Sequence, residues 1–409
     1  MGIKFRLITM NFLQFFVWGA WLISIGGYLG GTLHFTGVEI GAVFSTLGIA
    51  SLFMPALMGI VADKWINAER VLGFSHLIGA ALLLWASTVK DPRMFFYVML
   101  LNSMFYMPTI ALNNTVSYVV LEQKGYNVVK DFPPIRVWGT IGFIVAMWTV
   151  DLCGWKSSSM QLVLSAVASI ILGLYAFTMP VCKPENTKQA KGLISILGLD
   201  ALVLFKQSRM AVFFLFAMFL GAALQITNAF GGSFLESFNL TYPDTFGVKH
   251  PIVLLSVSQM SETLFILTIP FFLNKFGIKK VMLISMFAWV LRFGLFSIGN
   301  PGNGLILLIL SMIIYGMAFD FFNISGSLFV ENEVPSKIRA SAQGLFMLAT
   351  NGIGATLGGY CSGMVVDFFT GTDGIRDWPV IWLCFAGYAL VLGLIFPFVF
   401  KYKHQPAKS

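Results

Sequence analysis

The chain has 409 residues, 57% of them hydrophobic and only 11% charged, with 41 Phe and a mean hydropathy of +0.82. A water-soluble domain carries about 25% charged residues, so the composition excludes a soluble enzyme or binding module and describes an integral membrane protein. The net charge of +8 would suggest nucleic acid for a soluble protein, but here the loops account for it and no nucleic-acid partner is implied.

The apolar runs are near-continuous and do not alternate, so they read as helices and not as barrel strands. Twelve spans can be drawn, near 7–33, 39–62, 69–89, 93–122, 134–152, 159–182, 209–236, 251–273, 278–298, 303–331, 337–366 and 377–401. The expected fold is an all-α integral membrane protein. Its first run is too long for a signal-peptide core and reads as a retained helix. An even count puts both termini on one side. Placing them in the cytoplasm gives the inner loops most of the 26 Lys and Arg, among them Lys64, Lys183, Lys275 and Lys401.

The longest polar interruption divides the spans into two six-helix halves, 1–182 and 209–409, joined by a cytoplasmic linker over 183–208. Within it, 193–205 is apolar enough to lie along the membrane surface. The halves echo each other: Asp63-Lys64 follows the second span, and Asn274-Lys275 follows the eighth. Likewise Ile135-Arg136 opens the fifth span and Ile338-Arg339 the eleventh. Parallel halves of this kind place a substrate site between them near the bilayer midplane. Cys153, Cys182, Cys361 and Cys384 match no metal or redox spacing, and no cofactor or catalytic set is expected.

Polar residues inside the spans point to function. The fifth carries Arg136, Thr140 and Phe143 at i, i+4, i+7; the seventh carries Gln225 and Asn228 at i, i+3. Gln259 and Glu262 share a face of the eighth, beside Ser258 and Ser261. In the tenth, Tyr315, Phe319, Asp320 and Asn323 lie on neighbouring parts of one face. A charged carboxylate at bilayer depth costs at least ~2.5–3.5 kcal/mol, so such residues usually face a polar cavity or a partner. Amides and carboxylates beside Phe and Tyr rings suit a ligand that is rich in hydroxyls and bears a planar ring. Simpler readings compete: Gln225 and Asn228 as interhelical glue, Arg136 snorkelling to the surface, and Arg292 as a structural cation or counter-ion. Trp138, Trp148 and Trp378 are expected as interfacial anchors.

Five stretches carry a resemblance: FMPALMGIVADKW (53–65), DFPPIRVWGTIGF (131–143), LQITN (224–228), SQMSETLFILTIPFF (258–272) and YGMAFDFFNISGS (315–327). Through them the chain resembles the nucleoside:proton symporters of the major facilitator superfamily. The resemblance implies proton-driven nucleoside uptake by alternating access across a bacterial inner membrane, and the protein is expected to work as a monomer in the lipid bilayer. It implies a site in which Arg136, Thr140, Phe143, Gln225, Asn228, Gln259, Glu262, Tyr315 and Phe319 bind substrate. Asp320, flanked by Phe319, Phe321 and Phe322, is expected to be chiefly the proton carrier, and Glu262 chiefly a ligand with a share in coupling. The alternative on the same scaffold is a proton-coupled sugar or polyol transporter. A receptor without transport explains neither buried carboxylate, and a membrane enzyme lacks a visible catalytic set.

Overall fold

The computed structural model describes residues 2–184 and 199–402. Among these residues the chain is helical, and an isolated bridge between Thr370 and Arg376 is the nearest thing to a strand. The helices are α1 (Ile3–Gly19), α2 (Ile25–Gly27), α3 (Gly37–Ser51), α4 (Met54–Lys64), α5 (Ala68–Ala86), α6 (Pro92–Gln123), α7 (Val128–Leu152) and α8 (Met160–Ala176). After a 3-10 helix over Leu199–Lys206 come α9 (Ser208–Glu236), α10 (Phe246–Lys249), α11 (Pro251–Ile298), α12 (Leu305–Glu333), α13 (Ser336–Met347), α14 (Ala355–Phe368) and α15 (Trp378–Val399). Two π-helical segments, Tyr28–Thr32 and Leu348–Gly354, interrupt the series. Among the described residues, eight helical stretches are long and apolar enough to cross a membrane, with α3 and α4 counted together as Gly37–Lys64. The chain forms two compact units, one from Met1–Phe35 with Thr46–Ala190, the other from Thr36–Ser45 with Lys191–Ser409. Residues 185–198, which hold part of the 183–208 linker and the first half of the surface helix expected over 193–205, lie outside the described residues; the second half of that helix falls in the 3-10 helix Leu199–Lys206.

Helix ends follow local chemistry. Asp91 accepts the Met94 N–H at 2.8 Å ahead of Pro92 in the first turn of α6, and Asn127 accepts the Lys130 N–H at 3.1 Å to start α7. Both satisfy donors that a helix start leaves unpaired. Within α11, Gly277 has φ 73° and ψ 165°, a conformation natural only to glycine. The helix breaks there, at the turn the sequence places between its eighth and ninth spans.

The first run departs from expectation. It is not one helix over 7–33, because α1 ends at Gly19 and an irregular stretch leads through α2 into the first π-helical segment. Gly26, Gly27, Gly30 and Gly31 disfavour a continuous helix. Trp378 also departs: it is buried, stacked on Trp382 with centroids 6.0 Å apart and packed on Phe234, a core residue where an interfacial anchor is expected.

Between helices in a bilayer, close van der Waals packing replaces the hydrophobic drive, so small residues mark the contacts. In the first unit α1 lies along α7, and a Cβ on Gly142 would collide with the Phe12 backbone. Leu7, Met10, Leu72, Val116 and Leu172 fill the core beside them. In the second unit α11 and α12 run side by side, with Gly316 against the Ser261 backbone. Gly221 and Gly358 let the second π-helical segment and α14 close on α9. The Asp367 carboxylate of α14 accepts the Gly37 and Val38 N–H groups at 2.5 and 2.8 Å, holding the start of α3 in this unit. Outward-facing Leu267, Phe368 and Phe398 are 76%, 80% and 79% exposed, a surface that suits lipid and not water.

Candidate transport site

Tyr315 and Phe319, one turn apart on α12, stack with centroids 6.1 Å apart and planes 10° from parallel. The Tyr315 side chain hydrogen-bonds Gln259 of α11. Over its ring, 4.5 Å from the centroid, lies the Arg292 guanidinium. Arg292 is only 2% exposed; it donates to Ser258 Oγ at 3.3 Å and to the Ser311 carbonyl oxygen at 3.0 Å. Phe296 adds a second ring at 5.1 Å. These contacts make Arg292 a clamp between the two limbs of α11 and α12 that also fixes the orientation of Tyr315.

Asp320 lies on the adjoining face of α12, 3% exposed, and its Oδ2 has no hydrogen-bond partner among the described residues. Half-buried Glu262 acts electrostatically on both Asp320 and Tyr315. The helices meet closely here, since a Cβ on Gly316 would lie 2.8 Å from the Glu262 nitrogen. The Ser261 hydroxyl, meanwhile, donates to the Ile313 carbonyl. On α9, Gln225 is buried with Oε1 unpartnered among the described residues, and Asn228 is half-buried.

Arg136, Thr140 and Phe143 belong to the first unit. The Arg136 guanidinium lies 3.9 Å over the Phe15 ring, half-buried against α1. Phe143 meets Trp18 edge-on at 6.1 Å. The structure thus groups seven of the expected residues, Gln225, Asn228, Gln259, Glu262, Tyr315, Phe319 and Asp320, in the second unit and three in the first.

The sequence reading passed over a buried polar chain in the first unit. Ser169 pairs with His76 Nδ1 at 3.0 Å, and His76 Nε2 with Gln14 Oε1 at 2.9 Å. Gln14 Nε2 donates to Thr109 Oγ1 at 2.8 Å, and the Tyr106 hydroxyl donates to the Gln14 carbonyl oxygen at 2.9 Å. Tyr106 in turn packs on Trp18, so this chain supports the ring that Phe143 meets. A signal existed: Gln14 and His76 are polar interruptions in their apolar runs.

Long apolar helices with a lipid-compatible exterior, enclosing carboxylates, amides and stacked rings, define a multi-pass membrane transporter. No group of metal-ligating side chains occurs among the described residues. The chain belongs to the nucleoside H+ symporter family, which matches it over residues 1–405. It is 59% identical over 411 residues to the xanthosine permease of Escherichia coli strain K12, covering 100% of this chain and 98% of that protein. To the nucleoside permease NupG of the same strain it is 54% identical over 407 residues, covering 99% and 97%. A crystal structure of nucleoside transporter NupG matches with a TM-score of 0.93 at 55% identity, covering 98% of this chain and 100% of that one. The protein is a proton-coupled nucleoside transporter, not an enzyme, and the sugar or polyol alternative falls.

Proposed function

We propose that the protein takes nucleosides into a bacterial cell with protons, by alternating access, as a monomer in the inner membrane with both termini cytoplasmic. The permease and transporter names of its relatives support this reading. Twelve crossings in two six-helix halves, 1–182 and 209–409 with the 183–208 linker between, fit the helix lengths. As a single straight helix the 48 residues of α11 would run about 72 Å, against a hydrocarbon core of about 30 Å. The break at Gly277 therefore accommodates two crossings.

The observation that carries the reading is the stacked Tyr315–Phe319 pair beside Asp320, whose Oδ2 is unpartnered among the described residues. Rings of this kind can hold a planar base, and a carboxyl left without a fixed donor is free to exchange a proton. We assign Arg136, Thr140, Phe143, Gln225, Asn228, Gln259, Glu262, Tyr315 and Phe319 to the nucleoside, and proton coupling to Asp320 with Glu262. The test is uptake by purified protein in liposomes with an inward proton gradient. Labelled nucleoside should accumulate above its external concentration and drain when an uncoupler is added. Equilibration without accumulation would remove the coupling, and no uptake of any nucleoside would remove the reading.

A further inference from the structure

Inside the second unit, next to the stacked pair, is a recess of about 20 Å³. Leu224 of α9, Phe319, Phe322 and Asn323 of α12, and Thr350 and Asn351 of the second π-helical segment line it. Its walls are otherwise apolar, and its two amides have hydrogen-bonding capacity left for a ligand. The Asn323 side chain makes no hydrogen bond among the described residues, although it is half-buried. Asn351 is exposed at the rim of the recess, and its Nδ2 reaches only the Met347 thioether, 3.5 Å away, a weak acceptor. The Thr350 hydroxyl is spent on the Phe346 carbonyl oxygen at 3.0 Å.

The backbone holds this arrangement in place. A Cβ on Gly221 would strike the Thr350 backbone, so α9 presses directly on the π-helical segment. π-Helical turns are rare and concentrate at functional sites. Here the widened turn carries Asn351 beside the recess that Asn323 also lines, four residues beyond Phe319. The recess has room for about one water-sized group and no more. A base ring does not fit, whereas one exocyclic oxygen or amino group does.

We propose that Asn323 and Asn351 form a subsite that reads the exocyclic polar group of the nucleobase. Each amide offers both donors and an acceptor, so the pair can turn N–H groups to an oxo substituent or carbonyl oxygens to an amino one. The inference rests on the proposed placement of the base against Phe319. It makes the pair determinants of specificity, separate from the contacts assigned above. A site built to hydrogen-bond a substrate group discriminates against analogues that lack it.

The test is equilibrium binding to purified full-length protein of inosine, adenosine and purine riboside, the last lacking the exocyclic group. Asn323→Leu and Asn351→Leu should each weaken inosine and adenosine by roughly tenfold, the cost of one lost hydrogen bond to the ligand, and leave purine riboside unchanged. Asn323→Ser and Asn351→Ser, smaller and still polar, answer the question where a Leu variant does not fold. Gln225→Ala should weaken all three ligands. Equal weakening of all three by the Asn variants, or weakening of none, overturns the subsite while leaving the nucleoside reading in place. Wild-type protein that binds none of the three overturns both.

Discussion

Asp320 and Arg292 are both buried in the second unit, yet the structure treats them differently. Arg292 has neutral oxygens and two rings around it, so its charge is fixed in place. Asp320 has an oxygen without a partner among the described residues, so its environment makes no such demand. We predict that Asp320→Asn, which imitates the protonated acid, still binds nucleoside and exchanges it across liposome membranes but does not concentrate it. Glu262→Gln should lower affinity and keep some coupling. Uphill, uncoupler-sensitive accumulation by Asp320→Asn would move the carrier elsewhere, with Glu262 first in line. For Arg292, replacement by Met removes the clamp and leaves the Ser258, Ser311 and Tyr315 partners unserved. A desolvated cation–ring contact alone is worth about 2 kcal/mol or more, so the variant should melt at a distinctly lower temperature in detergent. An unchanged melting temperature would mean that the clamp contributes little.

At the scale of helices, glycine decides where elements bend and how closely they meet. Gly142 has the Phe12 backbone where its Cβ would be, so Gly142→Leu must push α1 from α7 and disturb the Arg136–Phe15 contact beside it. Overpacking of this kind costs about 1–3 kcal/mol. We expect reduced thermal stability together with weakened nucleoside binding; full activity would show that the interface has slack. The break at Gly277 was legible from the sequence because the polar, basic turn around it is a local signal. The close approach of α1 to α7 at Gly19 was not, since what occupies the space beside that glycine is the backbone of Phe143, distant in sequence. The same division runs through the candidate site. Spacing showed that Tyr315, Phe319 and Asp320 share a region of one helix, because that follows from 3.6 residues per turn. It could not show that Gln259 pairs with Tyr315, that Arg292 caps that ring, or that His76 and Gln14 join in one buried chain. Those are choices of partner made between helices, as is the burial of Trp378.

For the whole molecule, the distribution of charge orients the chain in the bilayer. Basic residues hold cytoplasmic loops back during insertion, and that rule predicts the turn at Lys64 inside and the 239–249 loop outside. Both regions offer well-exposed positions: Trp65 is 72% and Leu240 97% exposed, and the Asp244 side chain is 93% exposed even though it pairs with Lys249 at 3.0 Å. Three of the four native cysteines, Cys153, Cys361 and Cys384, are exposed, so all four must be replaced before a single cysteine can report topology. In that background Asp244→Cys should react with a membrane-impermeant maleimide added to intact cells. Lys64→Cys should react only after the membrane is permeabilised. A surface ion pair such as Asp244–Lys249 contributes about 0–1 kcal/mol, so the reporter does not disturb the fold it reads. Labelling of Lys64→Cys from outside would invert the orientation. The inversion would also reverse the direction in which Asp320, as the proposed carrier, would load and discharge its proton.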